Sequence, residues 1–144
     1  DVKQGGLINY FEGIPVYEEY PSSYKTVAVL NGFMFSLFGL HDLYLLNHNK
    51  NAEILFNQGI DSIKKLLHYY DTNYWARYYL FDYPKEYVAS FTYISLMYEQ
   101  LKVLYLLTGD EIFITYSKKW KGYTENNLDK FRALLKKIFY ANSL

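Results

Sequence analysis

Two rhythms divide the chain. Over residues 7–11 and 14–20, β-branched and aromatic residues run on either side of Glu12-Gly13, which predicts two short strands joined by a tight turn. From about Ala28 the period lengthens. Leu30, Phe33, Met34, Leu37, Phe38, His41, Tyr44 and Leu45 recur at helical spacing and predict a first long helix. Asn47-His48-Asn49-Lys50-Asn51 is a polar break, after which Ile54, Leu55, Ile60, Ile63, Leu66 and Leu67 mark a second helix ending near Tyr70-Asp71.

Residues 71–84 are aromatic and irregular, and fit a functional loop or short hairpin better than a helix. A third helix is predicted over residues 87–108 with Gly109 as its C-terminal cap. A fourth runs from an Asp110 cap to about Lys121. A last one follows Asn126 or Asn127 and carries Leu128, Phe131, Leu134, Leu135, Ile138 and Phe139. The expected fold is therefore mainly α: roughly five antiparallel helices behind a small N-terminal β-hairpin. Such helix pairs build bundles, solenoids or closed α/α toroids, and no strict internal repeat chooses among them.

At 144 residues the chain is one domain or part of one. Its 15 basic and 15 acidic residues cancel, which argues against nucleic acid as a partner, since that needs a basic patch to displace counterions. The absence of cysteine removes disulfides and thiolate metal sites. No apolar run reaches the roughly 20 residues that span a bilayer. The start, Asp1-Val2-Lys3-Gln4, lacks the features of a signal peptide and reads as mid-domain, so a leader on a longer protein would not be visible.

Aromatics change the picture more. With 18 Tyr, 10 Phe and 2 Trp, the chain is rich in side chains that join an apolar ring to a polar tip, suited to half-wet grooves and sugar-stacking surfaces as well as to plain core filling. Within Tyr17-Glu18-Glu19-Tyr20-Pro21, consecutive carboxylates on a strand face opposite sides, so one points inward against rings while the other is solvated. Tyr93 is the second candidate. It shares a helical stripe with Met97, Gln100, Leu101 and Leu104, near the aromatic loop. His41, His48 and His68 show no metal-ligand spacing, and His41 fits a core histidine on an apolar face.

The order and spacing of several segments resemble the C-terminal domain of the D-glucuronyl C5-epimerase family. They are Tyr17-Glu18-Glu19-Tyr20-Pro21-Ser22-Ser23, then Leu30-Asn31-Gly32-Phe33, Tyr70-Asp71-Thr72, Tyr78 with Leu80, Gln100-Leu101, and Trp120-Lys121 with Tyr123. The resemblance implies a partial α/α toroid-like array, part of a longer helical domain, whose open side is covered by further helices or by association, such as a homo-oligomer. It also implies inversion at C5 of a hexuronate within a polysaccharide, of the D-glucuronate to L-iduronate type, with a uronate-containing glycan as partner and neither metal nor organic cofactor.

Carried over by position, Glu19, Tyr78 and Tyr93 are the catalytic candidates, and Tyr20, Asn31, Tyr17 and Arg77 the substrate contacts. Glu18 stays a surface charge in this reading. The chemistry suits these residue types. A proton α to a carboxylate is weakly acidic, so a base must act while enolate-like charge is stabilised. Inversion then needs a second group on the opposite face of the ring. Reference pKa values of about 4.3 for Glu and about 10 for Tyr mean that both must move toward neutrality.

The chain departs from the family where histidines and an arginine are usual: Ile94, Met97 and Phe81 stand there, and Tyr79 replaces an aspartate. Two other functions fit the same residues: a uronate lyase, which shares the C5 carbanion, and a non-catalytic glycan-binding or helical interaction domain.

Overall fold

A computed structural model describes residues 1–81 and 86–141. The chain is mainly helical. After a short 3-10 turn at Val2–Gln4 come strands β1 (Ile8–Phe11) and β2 (Ile14–Tyr17), then helices α1 (Leu30–Asn47), α2 (Lys50–Tyr70), α3 (Phe91–Thr108), α4 (Glu111–Glu125) and α5 (Asn127–Ala141). β1 and β2 pair antiparallel, with Ile8 opposite Tyr17 and Phe11 opposite Ile14. The connecting Glu12 and Gly13 both have positive φ, as a two-residue hairpin turn requires. Among the described residues no helix is long and apolar enough to cross a membrane.

α4 runs on to Glu125, past the expected end near Lys121, and three other boundaries differ from expectation, each for a local reason. β2 stops at Tyr17, because the paired register runs out opposite Ile8. α2 begins inside the polar break, since the Asn49 side chain accepts from the Ala52 backbone N–H at 3.1 Å and caps the helix. α3 begins four residues later than predicted. Its start is set by Ser90, whose hydroxyl accepts from Tyr93 N–H at 3.2 Å, while the residues before it are extended. Gly109 closes α3 in the left-handed region, as expected, and the Asn126 side chain caps α5 by accepting from Leu128 N–H at 2.9 Å.

The chain forms two compact units, one of Asp1–Leu66 with Leu80–Pro84 and the other of Leu67–Tyr79 with Lys85–Leu144. In the first, Phe33 and Leu37 of α1 are fully buried along with Ile63 and Leu66 of α2. Gly59 lets these helices approach. A Cβ there would overlap Leu37 Cδ2 and stand 3.1 Å from the Tyr17 ring and 3.3 Å from the Phe33 ring. In the second unit, Met97, Leu101 and Leu104 of α3 are buried with Phe113 and Trp120 of α4. The apolar stripe of α3 contains Ile94 in place of Tyr93, which stands at its edge.

Candidate functional site

In the first unit the loop between β2 and α1 is stitched to the hairpin. Asn9 Nδ2 donates to the carbonyls of Ser22 and Lys25, and the Thr26 hydroxyl donates to Tyr10 O at 2.9 Å. Glu18 takes part directly. It is only 3% exposed, its N–H donates to Leu7 O, and its Oε1 accepts from Val27 N–H at 2.8 Å. The expected surface charge is thus a buried one. The chain turns just after β2 ends, and the carboxylate rolls inward to satisfy the Val27 backbone N–H.

Glu19 is exposed and lies against the first turn of α1. A Cβ on Gly32 would come within 3.0 Å of Glu19 Cβ and closer still to its carboxylate, so the glycine makes room for the acid. The first turn of a helix presents unsatisfied N–H groups and the positive end of the macrodipole, a favourable place for a carboxylate. Asn31, the preceding residue, is buried, and Tyr20 is exposed.

Tyr17 is a packing residue in this structure. Its ring lies 4.9 Å from that of Phe33, and its hydroxyl donates to Leu55 O at 2.6 Å. Burial pushes this phenol up to about 12. A cavity of about 530 Å³ adjoins Tyr17, Leu40 and Leu43, is walled mainly by carbon, and includes neither Glu19 nor Asn31 in its lining.

In the second unit a tight turn follows α2. The Thr72 hydroxyl donates to Trp75 O and accepts from Trp75 N–H, and Asn73 adopts positive φ. The chain then pairs with the segment entering α3. Tyr78 N–H donates to Tyr87 O at 2.9 Å, Ala89 N–H donates to Ala76 O at 2.8 Å, and the Trp75 indole donates to Ala89 O. This pairing carries Tyr78 to Tyr93 on the first turn of α3, with ring centroids 4.6 Å apart. Tyr93 is 41% exposed.

Further phenols surround the pair. Tyr87 stacks on Tyr79 at 5.3 Å and meets Tyr140 of α5 edge-on at 4.9 Å. The Tyr79 and Tyr140 hydroxyls stand 3.3 Å apart. Burial, then that hydroxyl, raises the Tyr79 phenol well above its ordinary value, so it stays protonated. The Lys137 ammonium lies over the Tyr87 ring, 4.8 Å from its centre.

Arg77 is engaged within the protein. Its Nε and Nη2 both donate to Glu86 Oε1, at 3.2 and 3.1 Å, and Lys136 holds Glu86 Oε2 at 2.9 Å. Burial alone would raise the Glu86 carboxyl, but the two cations outweigh it and hold the group below its ordinary value.

One cluster was not singled out from the sequence. The Asp71 carboxylate, 6% exposed, receives the Lys119 ammonium, the Tyr123 hydroxyl at 3.0 Å and the Asn73 N–H at 3.2 Å. It fixes the turn after α2 onto α4. Burial, then the Asp71 charge, raises the Tyr123 phenol well above its usual value and keeps it a donor. The available signal was the i, i+4 spacing of Lys119 and Tyr123, which puts both on one face of α4.

With these arrangements in hand, comparison with known sequences is specific. Residues 1–122 match the family described as D-glucuronyl C5-epimerase C-terminus. The chain belongs to this family. The matched span contains Glu19, Asn31, Tyr78 and Tyr93 together with Asp71 and Lys119, and it ends before α5. The chain is 31% identical over 135 residues to the D-glucuronyl C5-epimerase of Caenorhabditis elegans and 33% identical over 124 residues to an uncharacterized protein of Methanocaldococcus jannaschii. Each alignment covers 83% of this chain, which spans 22% of the first relative and 39% of the second.

Proposed function

We propose that this epimerase-family domain inverts C5 of a hexuronate residue within a polysaccharide, by proton removal and return without a metal or organic cofactor. The observation that carries the reading is the Tyr78–Tyr93 contact, two phenols from separate segments supported through their rings, one of them well exposed. Among the described residues the Tyr93 hydroxyl has no hydrogen-bond partner, so its proton is available to a substrate. Tyr93 then acts as one proton carrier and Tyr78 as its neighbour in support. Glu19, an exposed carboxylate held against a helix N-terminus, is assigned the other proton-transfer role, with Asn31 and Tyr20 as sugar contacts. The chain acts as part of a longer helical domain, consistent with the fraction of its relatives that it spans.

Such a reaction exchanges the C5 hydrogen with solvent. In deuterium oxide, a polymer containing D-glucuronate is expected to gain deuterium at C5 in the presence of the protein. Glu19→Gln should lower the rate by 10²-fold or more, the usual worth of a positioned acid or base. Retention of full exchange by Glu19→Gln would remove that residue from its role. Unsaturated products absorbing in the ultraviolet, in place of exchange, would show a lyase.

A further inference from the structure

We propose that the cavity of about 220 Å³ between Trp75, Phe91 on the first turn of α3, and one face of α5 is a subsite for the carboxylate of a uronate residue, held by Lys137 with Lys130 beside it. The inference deepens the epimerase reading and rests on it for the identity of the sugar.

α5 distributes its charge unevenly. The helix has four basic residues, Lys130, Arg132, Lys136 and Lys137, and one acidic residue, Asp129. Arg132 is paired with Asp129 and Lys136 with Glu86. Lys130 and Lys137 have no carboxylate partner among the described residues. These two are the ones that line the cavity, and with a spacing of seven they lie on the same face of α5 as Leu134 between them. Cations already satisfied face elsewhere, and those left over converge on one hollow.

The hollow has the other features of a sugar site. Its wall is mostly carbon, with exposed Phe91 and Leu134 and the nearly buried Trp75 in the lining, and an aromatic wall such as Phe91 suits the apolar face of a pyranose. One lining residue reaches toward the candidate phenols: the Lys137 ammonium stands over Tyr87, whose ring is 6.2 Å from that of Tyr78. Partial burial also lowers the Lys137 ammonium below its ordinary value, the cost of holding a charge there without a counter-ion. A bound carboxylate would offset that cost through a charge-assisted hydrogen bond. α5 lies beyond the span matched by the family, residues 1–122.

The test is calorimetric binding of a hexasaccharide of alternating D-glucuronate and N-acetylglucosamine, set against the same hexasaccharide with its carboxyls reduced to alcohols. The protein is expected to prefer the acid form. Lys137→Gln should weaken binding of the acid form by about tenfold and abolish most of the preference, while Lys137→Arg keeps it. Lys136→Gln, whose native ammonium is on Glu86, should leave the preference in place. Equal affinity for the two hexasaccharides, no binding of either, or a preference unchanged in Lys137→Gln would overturn the subsite. C5 exchange measured alongside separates the two readings. Lys137-dependent binding without exchange supports the subsite and sinks the epimerase reaction, whereas exchange with Lys137-independent binding does the reverse.

Discussion

Tyr17 in the first unit and Tyr93 in the second both stand where an extended segment gives way to a turn or helix, yet they differ at the hydroxyl. Tyr17 is buried and donates to the Leu55 carbonyl. Tyr93 leans on Tyr78 through its ring and is 41% exposed, with no hydrogen-bond partner for its hydroxyl among the described residues. A phenol anchored by its oxygen is a structural pin, because moving its proton would forfeit the hydrogen bond and charge a buried group. A phenol anchored by its ring can be held in place while its proton moves. In a chain so rich in tyrosine, this distinction sorts the chemical candidates from the core.

The largest expected effect tests that distinction directly. Tyr93→Phe should reduce C5 exchange by about 10²- to 10⁴-fold with little change in thermal stability. Tyr17→Phe should leave exchange within a few-fold and cost about 1 kcal/mol of stability. Equal losses of exchange in the two variants would erase the contrast.

A second change probes the packing that makes Tyr17 a pin. Gly59→Ala places a methyl group against Leu37, Tyr17 and Phe33. It should lose about 1–3 kcal/mol in chemical denaturation, the usual cost of overfilling a packed core. A neutral or stabilising result would mean that α1 and α2 separate at no cost.

The smallest effect is a pH dependence. The folded-state value for Tyr17 is raised, so its neutral form is favoured by folding. Its contribution is complete below the ordinary phenol value of about 10 and is lost as pH rises through the folded value of about 12. The stability difference between the native protein and Tyr17→Phe should therefore shrink over that alkaline range. A difference that stayed constant would show that Tyr17 titrates as if exposed.

Much of the fold could be read from the sequence, because helices and hairpins are set by neighbours a few residues apart. The 3.6-residue period placed five helices, and Gly109 and Asn126 marked their ends as expected. Reading failed where a distant partner decided. Residues 87–89 carry helix-compatible side chains, but backbone pairing with 76–78 draws them into an extended segment. Glu18 resembled any strand-edge charge until Val27 N–H, nine residues on, claimed its oxygen.

The candidate site divides the same way. The residue types at 19, 31, 78 and 93, and the order that marks the family, belong to the sequence alone. The contact between Tyr78 and Tyr93, the commitment of Arg77 to Glu86, the lock of Asp71 to α4 and the convergence of Lys130 and Lys137 on one hollow came only from tertiary structure. The reason is physical. Periodicity reports which face of an element is apolar, but which hydroxyl or cation is left without an internal partner depends on what chain packing brings within hydrogen-bonding distance.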